Sequence, residues 1–147
     1  MNAQSQSGVT LIEVLVAVLV LSVGLLGLAG LQTSALRNNQ SSMERSLAVI
    51  ESYGIVDAMR ADRDNAENGA FDIGLEDSPT GGSFAGNELT KWRNRLIAQL
   101  GPGATGSIAC NGSQCTIIVQ WDDSRGSHDA SDAQAGAAHQ VVTEVQL

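Results

Sequence analysis

Apolar and polar positions divide this chain unevenly. From Val9 to Leu31 there are 23 residues, and only Thr10, Glu13 and Ser22 carry polar side chains. A helix rises about 1.5 Å per residue, so the run reaches roughly 34 Å, enough to cross a bilayer core of about 30 Å. A plain membrane anchor accounts for the length but not for Glu13. A carboxylate inside an apolar helix costs on the order of 3 kcal/mol on insertion scales, so Glu13 calls for a partner. No proline occurs before Pro79, and nothing forces the helix to stop at Leu31. Leu36, Met43, Leu47, Ile50, Gly54 and Ala58 recur at helical spacing as one stripe. Val49 and Val56 lie on a second side, Ile55 and Met59 on a third. That is broader than one domain face needs. The pattern predicts one helix from about Val9 to near Arg63, with a possible kink at Gly54. Its lower half would pack with other helices, and its upper half would also back a sheet. Gly24, Gly27 and Gly30 each cost roughly 1 kcal/mol against Ala. They read either as close-packing glycines of a membrane helix or as a weak section that bends when subunits pack.

After the helix the pattern loosens. Residues 64–88 are rich in Gly, Asp, Asn and Ser and read as a long connecting loop, with one short strand at Ala70 to Ile73. Asp62, Asp64, Asn65, Glu67 and Asn68 invite a calcium reading, but Ala66 and Glu67 stand where the EF-hand needs an oxygen ligand and a Gly, so a solvated loop is expected. Helical spacing returns from Glu88 to Leu100, with Leu89, Trp92, Leu96 and Leu100 on one side and Lys91, Arg93 and Arg95 on a wetted face. Gly101-Pro102-Gly103 ends it. Ser107 to Cys110 and Cys115 to Trp121 read as a hairpin around a four-residue turn, Asn111-Gly112-Ser113-Gln114. Ile117, Val119 and Trp121 alternate with polar positions, as on a strand with one buried face. Asp122 to Gly136 is another loop, and His139 to Leu147 a closing strand in which Val141 and Val142 leave the buried face open.

Composition narrows the chemistry. The net charge is −8, with eight Lys and Arg in all. A surface that tracks phosphates is therefore not expected, and scarce aromatics argue against base stacking, so no direct nucleic-acid partner is read. Asp122, Asp123, His128, Asp129 and Asp132 lie in a loop without a nucleophile motif, which leaves no catalytic residues. Cys110 and Cys115 face each other across the hairpin at a separation a disulfide accepts. A zinc site would need His128 or His139 at finger-like spacing, which neither has, so no metal and no cofactor is expected.

Gly8-Val9-Thr10-Leu11-Ile12-Glu13 followed by the long apolar run resembles the class III signal of type IV pilins. The resemblance implies cleavage between Gly8 and Val9 by a prepilin peptidase, N-methylation of Val9, and a charge pair between Glu13 and the terminal amine of a neighbouring subunit. Val9 stands where that family most often has Phe, and residues 1–8 carry no Lys or Arg. Ser22 to Gln32, Ala58-Met59-Arg60-Ala61-Asp62-Arg63 and Ile117 to Asp123 are similar to PilV-like minor pilins, the type IV pilus modification group. The fold implied is α+β and pilin-like: a long N-terminal helix, transmembrane in its first half, packed on a small antiparallel β-sheet. The domains implied are a leader (1–8), a membrane and assembly helix (9–31), its periplasmic half (32–63) and a globular part (64–147). The function implied is filament initiation and assembly, and through it motility or adhesion. Partners would be other minor pilins, the major pilin, the peptidase, an inner-membrane assembly platform and the lipid bilayer. A minor pseudopilin of a type II secretion system shares the same physics. A membrane-tethered periplasmic binding module is the alternative of another class.

Overall fold

A computed structural model describes residues 10–122 and 138–147. The chain forms two compact units, Met1–Leu36 and Arg37–Leu147. The first helix, α1, is Leu11–Ala61, unbroken at Gly54. Within the first unit every described residue is exposed. In the second unit α1 buries Ala48, Ser52, Ile55, Val56 and Met59. Ser52 is tolerated there because its hydroxyl donates to Ala48 O at 2.9 Å. The stripe headed by Leu36 and Met43 is not the core stripe. Met43 and Ile50 stay exposed, and Leu47 and Ala58 are half-buried. The other two sides supply the buried Val56, Ile55 and Met59, while the most regular stripe meets the domain only at its edge, through Leu47 and Ala58.

The connecting segment is more structured than its composition suggests. Arg63–Glu67 forms a short helix, α2, which ends in Gly69 at φ 82°. Asp62 to Asn68 is therefore a helical step and not a loop. Asn65 Nδ2 donates to Asp62 Oδ1 and Asn68 Nδ2 to Asp64 O, so these polar groups answer one another. The expected strand at Ala70 to Ile73 shrinks to a single bridge, Ile73 to Ile108. Helix α3 is Phe84–Leu100, one turn longer at its start than the spacing indicated. Ser83 caps it, its hydroxyl accepting from Gly86 N at 3.0 Å. A Cβ at Gly86 would lie 1.9 Å from Thr80 O, so only glycine lets the preceding loop fold back on this first turn. Leu89, Trp92, Leu96 and Leu100 are buried as their spacing required.

Strands β1 (Thr105–Asn111), β2 (Gln114–Asp122) and β3 (Ala138–Gln146) form an antiparallel sheet in the order β1-β2-β3. Asn111 pairs with Gln114, so the hairpin loop is Gly112-Ser113 alone and not four residues. Gly112 has φ 61° and Ser113 has no positive φ, the backbone requirement of a type II′ turn. Ile108, Cys115, Ile117, Val119 and Trp121 point into the core. Register decides what the short Val141-Val142 run could not: Val141 pairs with Val119 and packs against the core, while Val142 is exposed. The architecture is α+β, with the second half of α1 and α3 covering one face of a small antiparallel sheet.

Cys110 and Cys115 are cross-strand partners with Cα atoms 4.1 Å apart, and they are joined by a disulfide. Converting both to Ala should lower the unfolding free energy by about 2 kcal/mol, the chain-entropy value for so short a loop. Denaturant unfolding of the full chain in detergent would measure it. An unchanged midpoint would mean that the strand ladder alone holds the hairpin.

Candidate assembly site

The first unit offers one ionisable side chain in an apolar surface. Thr10 O accepts from Glu13 N at 3.0 Å and from Val14 N at 3.3 Å, which starts α1 and sets Glu13 in its first turn. The positive end of the helix dipole favours a carboxylate there. Yet Glu13 has no side-chain hydrogen bond or ion pair among the described residues. Around and beyond it Leu11, Ile12, Val14, Leu15, Val16 and Val18 are all at least half exposed. This helix is the one candidate membrane span among the described residues, with a mean hydropathy of 2.7 in its most apolar window. Two of its polar side chains turn inward on the backbone: Ser22 Oγ donates to Val18 O and Thr33 Oγ1 to Ala29 O. That leaves them without unmet donors in lipid. Glu13 has no such recourse, because a carboxylate can only accept. At Gly24, Gly27 and Gly30 a Cβ would meet nothing within 4 Å, so contacts within the chain do not require these glycines.

Gly8 and Val9 lie outside the described residues, as do Asp123, His128, Asp129 and Asp132. His139 lies on β3, its ring 6.1 Å from that of Trp121. Among the described residues no group of three or more His, Cys, Asp and Glu could hold a metal ion. Cys110 and Cys115 are spent on each other.

The second unit holds polar contacts that spacing did not indicate. Glu51 is buried on α1, and its carboxylate accepts from Arg95 Nε at 2.8 Å and from Gln99 Nε2 at 2.9 Å. Its backbone oxygen accepts from Trp92 Nε1 at 3.1 Å. A buried carboxylate survives only when paired and hydrogen-bonded, and α3 supplies both. Arg93 reaches the other way. Its guanidinium donates to Gly74 O at 2.7 Å, to Leu75 O and Asp77 O at 3.3 Å, and to Thr105 Oγ1. Burial pulls Arg93 below the usual arginine value, and nearby Asp77 opposes that shift. Of the three basic residues expected on a wetted face, Lys91 is exposed, whereas Arg93 and Arg95 are half-buried and bonded to other elements. One clamps the connecting loop to β1, and the other locks α3 to α1. Glu44 is also buried on α1, with Gln40 Nε2 donating to it at 3.4 Å. The one sequence signal for this pair was a seven-residue separation of two acids, Glu44 and Glu51, on what proved to be the buried side.

With α1 held in this way, its far side in the second unit presents Met43, Ile50 and Tyr53 to solvent, at 64%, 61% and 52% exposure. A surface helix that shows this much apolar area opposite its buried face has a second contact to make.

Residues 3–29 match the prokaryotic N-terminal methylation motif, a type IV prepilin-like signal. The match includes Gly8, Val9 and Glu13 and ends within the glycine-bearing part of the helix. No curated protein and no solved structure matches the chain.

Proposed function

We propose that this chain is a membrane-anchored pilin-type subunit, cut between Gly8 and Val9 and assembled through α1. The observation that carries the proposal is Glu13: an acid at the fifth place after the cut, within a methylation motif, on an apolar helix that offers it no partner among the described residues. A newly freed amine on Val9 of a neighbouring subunit would be the complementary charge. An ammonium and a carboxylate that meet in low dielectric each remove the other's desolvation cost. The exposed side of α1 in the second unit supports the same reading, because a filament of packed helices would cover it.

Within that reading the chain is a minor pilin of the PilV-like group. The likeness rests on Ser22 to Gln32, on Ala58 to Arg63 and on Ile117 to Asp123. Its role is structural: it takes part in filament initiation with other minor pilins and the major pilin at an inner-membrane platform, and its domain faces the periplasm until the pilus carries it outward. The chemistry is done to it, by a peptidase that cuts and methylates.

Mass spectrometry of the N-terminus of the chain purified from membranes tests the proposal. The expected product begins at Val9 with a methylated amine. Replacing Gly8 with a bulky residue should leave an uncut precursor, visible as a slower band. A native chain that still begins at Met1 would sink the reading.

A further inference from the structure

The chain contains two Asn-Gly dipeptides, Asn68-Gly69 and Asn111-Gly112, in opposite surroundings. The dipeptide is reactive because glycine puts no Cβ in the way of its own backbone nitrogen. That nitrogen can reach the side-chain carbonyl carbon of the preceding asparagine. At Asn68 both reactants are held. The side-chain amide donates to Asp64 O at 2.7 Å, and Gly69 N donates to Ala66 O at 3.0 Å. The space beside Gly69 is also filled, with Asp72 Oδ2 only 3.0 Å from where a Cβ would sit. At the hairpin neither reactant is held. Asn111 is exposed, and its side chain makes no hydrogen bond among the described residues. Gly112 N likewise has no backbone acceptor among them, and nothing lies within 4 Å of its Cβ position.

We infer that Asn111 is a site of spontaneous deamidation and that Asn68 is protected from the same reaction. Water takes the proton of Gly112 N, and the nitrogen attacks Asn111 Cγ. The bond from Cγ to Nδ2 breaks, ammonia leaves, and a cyclic imide closes. Water then opens the imide. Cleavage between the nitrogen and Cγ yields aspartate in an intact backbone. Cleavage at the main-chain carbonyl yields isoaspartate, with an extra methylene in the chain. Either product puts a new carboxylate in the groove that Asn111 lines with Ala109, Gln114, Thr116 and Glu144. Isoaspartate also disrupts the pair Asn111 to Gln114 that closes the ladder. The Cys110–Cys115 bond, one pair further in, keeps the damage at the tip.

The test uses the full chain in detergent, disulfide intact, aged in mildly alkaline buffer and analysed by peptide mapping. A reduced, unfolded sample serves as the reference and should convert at both dipeptides at similar rates. In the folded chain the acid at position 111 should form faster than at 68 by on the order of tenfold or more, because two hydrogen bonds must first break at 68. Asn111→Gln, which keeps an amide but lengthens the arm, should abolish the acidic species on isoelectric focusing. Equal rates at the two sites, faster conversion at 68, or an intact Asn111 when the unfolded reference has converted would each overturn the inference. So would an acidic species that persists in Asn111→Gln.

Discussion

Glu13→Gln should leave the precursor cut at its normal rate and reduce incorporation into filaments by on the order of a hundredfold. The magnitude follows from the cost of an unpaired charge in an apolar layer, about 3 kcal/mol, since each factor of ten takes about 1.4 kcal/mol. The sign for membrane insertion is the reverse. Glutamine is cheaper than carboxylate in lipid, so the variant should enter the bilayer at least as well as the native chain. A loss of incorporation would therefore mark a lost partner and not a lost anchor. Glu13→Asp keeps the charge but shortens the arm by one methylene, and it should fall between the two. Quantitative immunoblots of sheared filaments against the membrane fraction measure the ratio. Normal incorporation of Glu13→Gln would remove the charge pair from the account and leave only the apolar contact of α1.

Trp92→Ala should destabilise the second unit by about 3–5 kcal/mol, seen as a large fall in its denaturant midpoint. Trp92 is fully buried, its indole N–H is satisfied by Glu51 O, and its ring edge lies against β1 at Gly106. Removing a core tryptophan costs about 3–5 kcal/mol, a large share of the roughly 5–15 kcal/mol that holds a domain. The contact with Gly106 gives a sharper test. A Cβ there would stand 2.4 Å from Trp92 Cη2 and 2.9 Å from Ile118 O, so Gly106→Ala must push either the ring or the β2 backbone. Overpacking of this kind costs about 1–3 kcal/mol. In Trp92→Leu the ring is gone and part of that clash with it, so the double variant should lose less than the sum of the two single ones. Denaturant midpoints of the four proteins close the cycle. Strict additivity would mean that the ring does not press on the strand.

Much of this molecule is legible in local pattern. The apolar span, the acid at its fixed offset, the buried side of α3 and the facing cysteines each follow from spacing over a few turns or across one short hairpin. Such signals survive because they need no knowledge of what lies opposite. Element ends were less legible. The first turn of α3 was hidden by Gly86, which reads as a loop residue until Thr80 O is seen folded against it. The hairpin turn is two residues shorter than local pattern indicates, because nothing local tells a paired Asn111 and Gln114 from turn residues.

Three choices belonged to the tertiary structure alone. A helix with apolar residues on three sides has no preferred buried face, so only docking could assign Ala48, Ile55, Val56 and Met59 to the core and leave Met43 and Ile50 outside. Glu51 became a core residue because Arg95 and Gln99, more than forty positions away, came to meet it. Arg93 became half-buried by turning to the carbonyls of Gly74, Leu75 and Asp77. In each case periodicity gives the direction in which a side chain points, whereas burial of a charge or a choice between apolar faces depends on which partner arrives from a distant part of the chain.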